Sequence, residues 1–85
     1  MLKAAVLGAT GNVGQIFVQL LDGHPWFETS VVAASERSEG RTYGEASRWR
    51  QSTPMPETVA QLDVVAIEPK AVKDVDIVFS ALPSD

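Results

Sequence analysis

Ala4-Ala5-Val6-Leu7-Gly8-Ala9-Thr10-Gly11-Asn12-Val13-Gly14 is an apolar run that ends in three evenly spaced glycines and leads into a stretch with helical periodicity. That succession decides the fold. A strand ending in glycine lets the backbone turn sharply, and the helix that follows points its unpaired N–H groups and positive dipole end back across the turn. Such a turn suits the pyrophosphate of a dinucleotide. Gly8 and Gly11 permit the turn and a close backbone approach, while Gly14 lies one turn inside the helix, where a missing side chain lets helix and strand sit close together.

Working outward, Val13, Ile16, Phe17, Leu20 and Leu21 recur at the spacing that places them on one helical face, and this face is expected against the core. Gly23 supplies a stop, followed by His24-Pro25 as a breaker. Thr29 to Ala34 reads as a second strand, apolar on both faces in the manner of a parallel strand covered by helices. Val64 to Ile67 and Ile77 to Leu82 have the same look, which makes four strands. Between them, residues 36–56 lack periodicity and hold Tyr43 and Trp49; so long a connection is a binding segment or carries a short helix. Glu57 to Leu62 has room for one or two helical turns. Strand, helix, strand in this order gives a right-handed crossover, and the expected class is α/β: a Rossmann-like parallel sheet of about four strands, the N-terminal half of a dinucleotide-binding domain.

Composition narrows the function. The chain has 85 residues, 45% hydrophobic and 21% charged, which suits one small globular unit and not two domains. Eleven acidic against seven basic residues give a net charge of -4 with no basic stripe, so neither nucleic acid nor an anionic membrane is an expected partner. The apolar N-terminal run breaks at Gly8, short of a signal peptide or a membrane span, and a cytoplasmic setting is expected. There is no cysteine and a single histidine, His24. Disulfides, thiolate metal sites and a cysteine nucleophile are therefore excluded within these residues, and one histidine does not make a zinc site. His24, beside a proline at a helix end, reads as a terminal cap or surface residue, and Trp26, Phe27, Tyr43 and Trp49 read as packing aromatics.

The glycine turn is not a phosphate-gripping P-loop, because Gln15 follows Gly14 where that motif requires lysine. Thr10 is placed to cap the helix or to bond a phosphate oxygen, and Asn12 and Val13 to offer backbone N–H groups. At the end of the second strand an acidic side chain would bond the 2′-hydroxyl of NAD, and an arginine would take the 2′-phosphate of NADP. Ser35-Glu36-Arg37-Ser38 offers a guanidinium fork flanked by hydroxyl donors; Glu36 argues for NAD, but NADP is favoured over NAD. A plain solvated turn would use the same residue types.

Four segments together carry a resemblance: Gly8 to Gln15, His24-Pro25-Trp26-Phe27-Glu28, Ala33 to Arg41, and Val75 to Asp85. In this order they resemble the N-terminal part of the aspartate-semialdehyde dehydrogenases of the archaeal and fungal branch. The resemblance implies reductive dephosphorylation of aspartyl phosphate with NADPH, in lysine, threonine and methionine biosynthesis, by a homodimer or homotetramer. It gives Thr10 to Val13 to the pyrophosphate, Ser35, Arg37 and Ser38 to the adenosine 2′-phosphate, and Ser80, Ala81, Leu82 and Pro83 to the nicotinamide side. Ser80 bonding only its local backbone is the plainer alternative. The family's mechanism needs a cysteine and a histidine that lie beyond these residues, so no catalytic residue is expected among them; residues 1–85 are expected to be a partial NAD(P)-binding domain, with the catalytic and dimerisation domain outside. N-acetyl-glutamyl-phosphate reductase, an atypical short-chain reductase, and a non-catalytic NADP-sensing module are the alternatives.

Overall fold

A computed structural model describes residues 1–35 and 38–82. Four strands, β1 (Leu2–Leu7), β2 (Phe27–Ala34), β3 (Val64–Ala66) and β4 (Ile77–Ser80), form one parallel sheet in the order β3-β2-β1-β4. Parallel pairing requires a crossover between successive strands. Helix α1 (Asn12–Leu21) provides the first; α2 (Tyr43–Ala46) and α3 (Glu57–Ala60) lie in the second, and a 3₁₀ turn at Pro69–Val72 lies in the third. The four expected strands are present, with β2 starting two residues earlier than its apolar run, β3 stopping before Ile67 and β4 before Ala81. The chain between β2 and β3 contains α2, and the helical turns expected before β3 are α3.

Ala4, Ala5 and Val6 are buried in succession, as are Val32, Ala33 and Ala34, so the two central strands are covered on both faces. Small residues at Ala4, Ala5, Ala33 and Ala34 leave room for α1, Tyr43 and Val59 to close on the sheet. The edge strand β4 is covered on one face only: Ile77 and Phe79 pack inward, Phe79 against Phe17 at 5.5 Å between ring centroids and against Phe27 at 6.1 Å. Val78 and Ser80 face outward and are exposed.

The expected face of α1 requires correction. Leu21 is buried and Phe17 partly so, but Val13, Ile16 and Leu20 are exposed, and the residues turned inward are Gly14, Gln15, Val18 and Leu21. The cause is Gly14. A Cβ there would stand 2.7 Å from the Ala9 Cα and 2.8 Å from the Gly8 carbonyl carbon, nearer still to the Gly8 oxygen, so the helix is seated directly on the glycine turn. Contact through Gly14 fixes the rotation of the helix. Residues 14, 18 and 21 then meet the sheet, and one flank of the wide apolar arc is left outside. Trp26 is also exposed, contrary to its expected packing role, lying edge-on to His24 at 5.9 Å. The His24 side chain does not cap α1, contrary to one of its two expected roles: its Nδ1 accepts from the Trp26 and Phe27 N–H groups at 3.1 and 3.3 Å, fixing the entry to β2. Gly23, at φ +71°, makes the stop after α1.

Candidate functional site

The carboxyl ends of β1, β2 and β4 converge on the glycine turn, the place where open parallel sheets take their ligands. Gly8 leaves β1 at φ +75°, a left-handed conformation that favours glycine. Its N–H and that of Ala9 both donate to the Ala33 carbonyl, at 2.8 and 3.1 Å, tying the turn to β2. A Cβ at Gly8 would meet the Ala81 carbonyl oxygen at 3.2 Å, while the Ala81 N–H donates to the Leu7 carbonyl at 2.9 Å. The turn is thus held between the ends of β2 and β4.

Gly11 is the N-cap of α1 and lacks a side chain to close the helix end, and no acidic residue occupies the first turn. The N–H groups of Asn12, Val13 and Gly14 therefore have no intrahelical partner and carry the positive end of the helix dipole. Thr10 does not cap the helix, contrary to one of its two expected roles, because the chain reaches its extended N-cap conformation one residue later, at Gly11. The Thr10 carbonyl is instead taken by Gln15 Nε2 at 3.1 Å.

Ser35 and Ser38 stand on one turn after β2, joined by a bond from the Ser38 N–H to the Ser35 carbonyl at 3.0 Å; Ser35 is exposed and Ser38 nearly buried. Arg37 and Pro83, the other expected members at these two strand ends, lie outside the described residues. Ser80 ends β4 opposite Leu7, and its Oγ accepts from the Leu82 N–H at 3.4 Å, the local bond that was its plainer alternative. Ala81 and Leu82 flank the glycine turn, with Leu82 Cδ2 3.3 Å from where a Gly8 Cβ would stand.

Sequence reasoning missed the contribution of residues 42–51. Tyr43 is fully buried and donates its hydroxyl to the Ala9 carbonyl at 2.7 Å; burial pushes its pKa up to about 12. Gln15, also buried, points its Nε2 at Ser47 Oγ (3.2 Å) and the Arg48 carbonyl (2.9 Å) as well as at Thr10. Its Oε1 accepts from the Arg50 N–H at 2.9 Å and Gln51 Nε2 at 3.3 Å. One amide thus joins the glycine turn to the chain 32 to 36 residues further on. No sequence signal marked Gln15, because the helical face expected to turn inward did not include it.

A family profile described as the semialdehyde dehydrogenase NAD-binding domain matches residues 3–85. The aspartate-semialdehyde dehydrogenase of Methanothermobacter thermautotrophicus is 55% identical over the whole chain, and that of Archaeoglobus fulgidus 54% over 98% of it; each match covers 24% of the relative. A malonyl CoA reductase (NADP) of Metallosphaera sedula is 45% identical over 96% of the chain, covering 23% of that protein. The crystal structure of aspartate semialdehyde dehydrogenase with NADP from Candida albicans superposes with a TM-score of 0.93 at 44% identity, over 98% of this chain and 24% of that one. The chain thus spans about a quarter of the length of the proteins it matches. With the profile, the identities and the glycine-turn geometry in agreement, the chain belongs to the NAD-binding domain family of the semialdehyde dehydrogenases.

Proposed function

We propose that this chain is the NADP(H)-binding portion of an aspartate-semialdehyde dehydrogenase that reduces aspartyl phosphate to the semialdehyde, releasing phosphate. The observation that carries the reading is the glycine turn: an uncapped helix end on a backbone with no room for a side chain at Gly14, placed where three strand ends meet. In this reading Gly8, Gly11 and Gly14 let the pyrophosphate approach the backbone, the Thr10 hydroxyl and the Asn12 and Val13 N–H groups bond it, and the turn bearing Ser35, Arg37 and Ser38 takes the 2′-phosphate. Ser80 to Pro83 border the nicotinamide. The dinucleotide, when bound, supplies the hydride that reduces the acyl carbon. These 85 residues contain no cysteine, so the acyl-carrying thiolate the family resemblance implies belongs to another part of the enzyme. The names of the relatives support the activity. A cytoplasmic homodimer or homotetramer is the proposed setting, checked by light scattering on the full-length enzyme.

The assay is run in reverse on the full-length protein, with aspartate semialdehyde, phosphate and NADP, following NADPH formation. Turnover that requires all three is the expected result; none with any of them omitted. The malonyl CoA reductase relative favours a second reading, reduction of an acyl thioester, since the same cofactor half would serve both reactions. NADPH consumption with malonyl-CoA but no reaction with aspartate semialdehyde and phosphate would establish that reading in place of the first. For the cofactor, Arg37→Ala should cost NADP about tenfold or more in affinity while leaving NAD unchanged, because a charge-assisted contact contributes about 1.5–3 kcal/mol. Equal losses for both cofactors would remove Arg37 from the 2′-phosphate.

A further inference from the structure

Beside the glycine turn lies a cavity of about 300 Å³, lined by Thr10, Gly11, Asn12, Gln15, Ala46, Arg48 and Arg50. Two of these residues are cationic and none is acidic. Among the described residues neither guanidinium has an ion-pair or hydrogen-bond partner: the contacts of Arg48 and Arg50 with Gln15 are made by their backbone groups. In a chain whose net charge is -4, two uncompensated arginines beside an uncapped helix end form a local excess of positive charge. Their placement depends on distant parts of the chain. Gln15 bonds the backbone on both sides of Trp49, and Trp49 itself is fixed by an edge contact with Tyr43 at 6.5 Å and by donation of its Nε1–H to the Thr53 carbonyl. Arg48 and Arg50 therefore project from a backbone that is fastened to the glycine turn.

We propose that Ser47 to Gln51 form a second wall of the pyrophosphate site, with Arg48 and Arg50 supplying charge to the phosphates and Gln15 acting as the positioning residue that sets them there. The inference rests on the dinucleotide-binding reading above and adds to it. The helix end offers neutral N–H donors from one side; the arginines offer permanent charge from the other, and guanidinium groups suit phosphate oxygens in pairs. The effect is indifferent to the 2′-phosphate, so the two arginines raise affinity for NADP and NAD alike. This separates their role from that assigned to Arg37.

The test uses the full-length protein and three probes: NADPH, NADH and 2′-AMP, which carries the adenosine 2′-phosphate but no pyrophosphate. Arg48→Ala/Arg50→Ala should weaken NADPH and NADH by the same factor, about tenfold or more, and leave the inhibition constant of 2′-AMP unchanged. It should also flatten the salt dependence of NADPH binding, and Arg48→Lys/Arg50→Lys should recover part of the lost affinity. Both arginines are exposed, so the variants should fold normally, which a thermal melt checks. Gln15→Glu retains the acceptor and loses the donors, and should raise the KM for NADPH by a larger factor than it lowers kcat. Unchanged NADPH binding in the alanine pair, or an equal loss of 2′-AMP, overturns the proposal while leaving the dinucleotide reading intact. A wild-type protein that binds neither NADPH nor NADH overturns both.

Discussion

Gly14 shows how a single residue constrains the rest. Its role was legible in the sequence from its place one turn into the helix, and the structure gives the physical content: any Cβ would enter the space of the Gly8 carbonyl and the Ala9 Cα. These are backbone atoms and cannot rotate aside, so Gly14→Ala must push α1 off the sheet or break the turn. The expected cost is about 3 kcal/mol, at the upper end of overpacking penalties, with a melt lowered to match and dinucleotide binding lost. Gly11→Ala is the control for the melt alone, since the nearest atom to its Cβ would be the Gly8 oxygen at an ordinary 3.5 Å. A Gly14→Ala protein that melts and binds like the wild type would show that the close packing is not needed. The same contact explains why the apolar face of α1 was misread. Periodicity finds the apolar arc of a helix, and the arc from Val13 to Leu21 is wide; which part faces inward is set by the closest contact to the sheet, and glycine contributes nothing to an apolar count.

At the scale of elements, the strands and α1 could be read from the sequence because their signals are local, whereas the place of α2 within residues 36–56 could not, because a four-residue helix has no periodicity to detect. Thr42 and Glu45 do carry the signature of a capping box, Thr-x-x-Glu, and the structure contains both of its bonds. The Thr42 backbone N–H, bonded to the Glu45 carboxylate, holds that group below the usual carboxylate range. What fastens the segment to the site is not local at all. Tyr43 reaches Ala9 across 34 residues, and a hydroxyl bonded to a buried carbonyl is invisible until the fold has brought the two together. Tyr43→Phe leaves the Ala9 carbonyl without this donor and should cost about 1–3 kcal/mol, read from a thermal or denaturant melt. The pH dependence gives a second readout. The folded protein keeps the phenol protonated to about pH 12, while an unfolded tyrosine ionises near pH 10. Its stabilising contribution is therefore complete below about pH 10 and is lost as the pH rises to about 12. The wild type should lose stability across that window and Tyr43→Phe should lose less; identical slopes would mean that the hydroxyl is accessible to water.

For the molecule as a whole, one side of the sheet assembly leaves apolar side chains in solvent. Val13, Ile16 and Leu20 are 54%, 44% and 65% exposed, and they form the flank of α1 next to Phe17, which packs on Phe79 of the edge strand β4. On the other face of β4, Val78 is 41% exposed. An apolar helix flank beside the free edge of a parallel strand is the combination that favours association, since apolar area and unpaired backbone groups are offered together. The sequence signalled this only indirectly, through a helix carrying more apolar residues than one sheet contact can cover. A segment of residues 1–85 produced by itself should therefore elute in size exclusion as a concentration-dependent mixture of monomer and larger species. Ile16→Glu combined with Leu20→Lys should shift it to monomer. Because both side chains are already in water, the melting temperature extrapolated to low protein concentration should move little, corresponding to about 0.5 kcal/mol or less per site. If the wild-type segment is monomeric at every concentration, the exposed flank is not adhesive. If the double variant unfolds, Ile16 and Leu20 contribute to the core, and the rotation of α1 set by Gly14 would have to be redrawn.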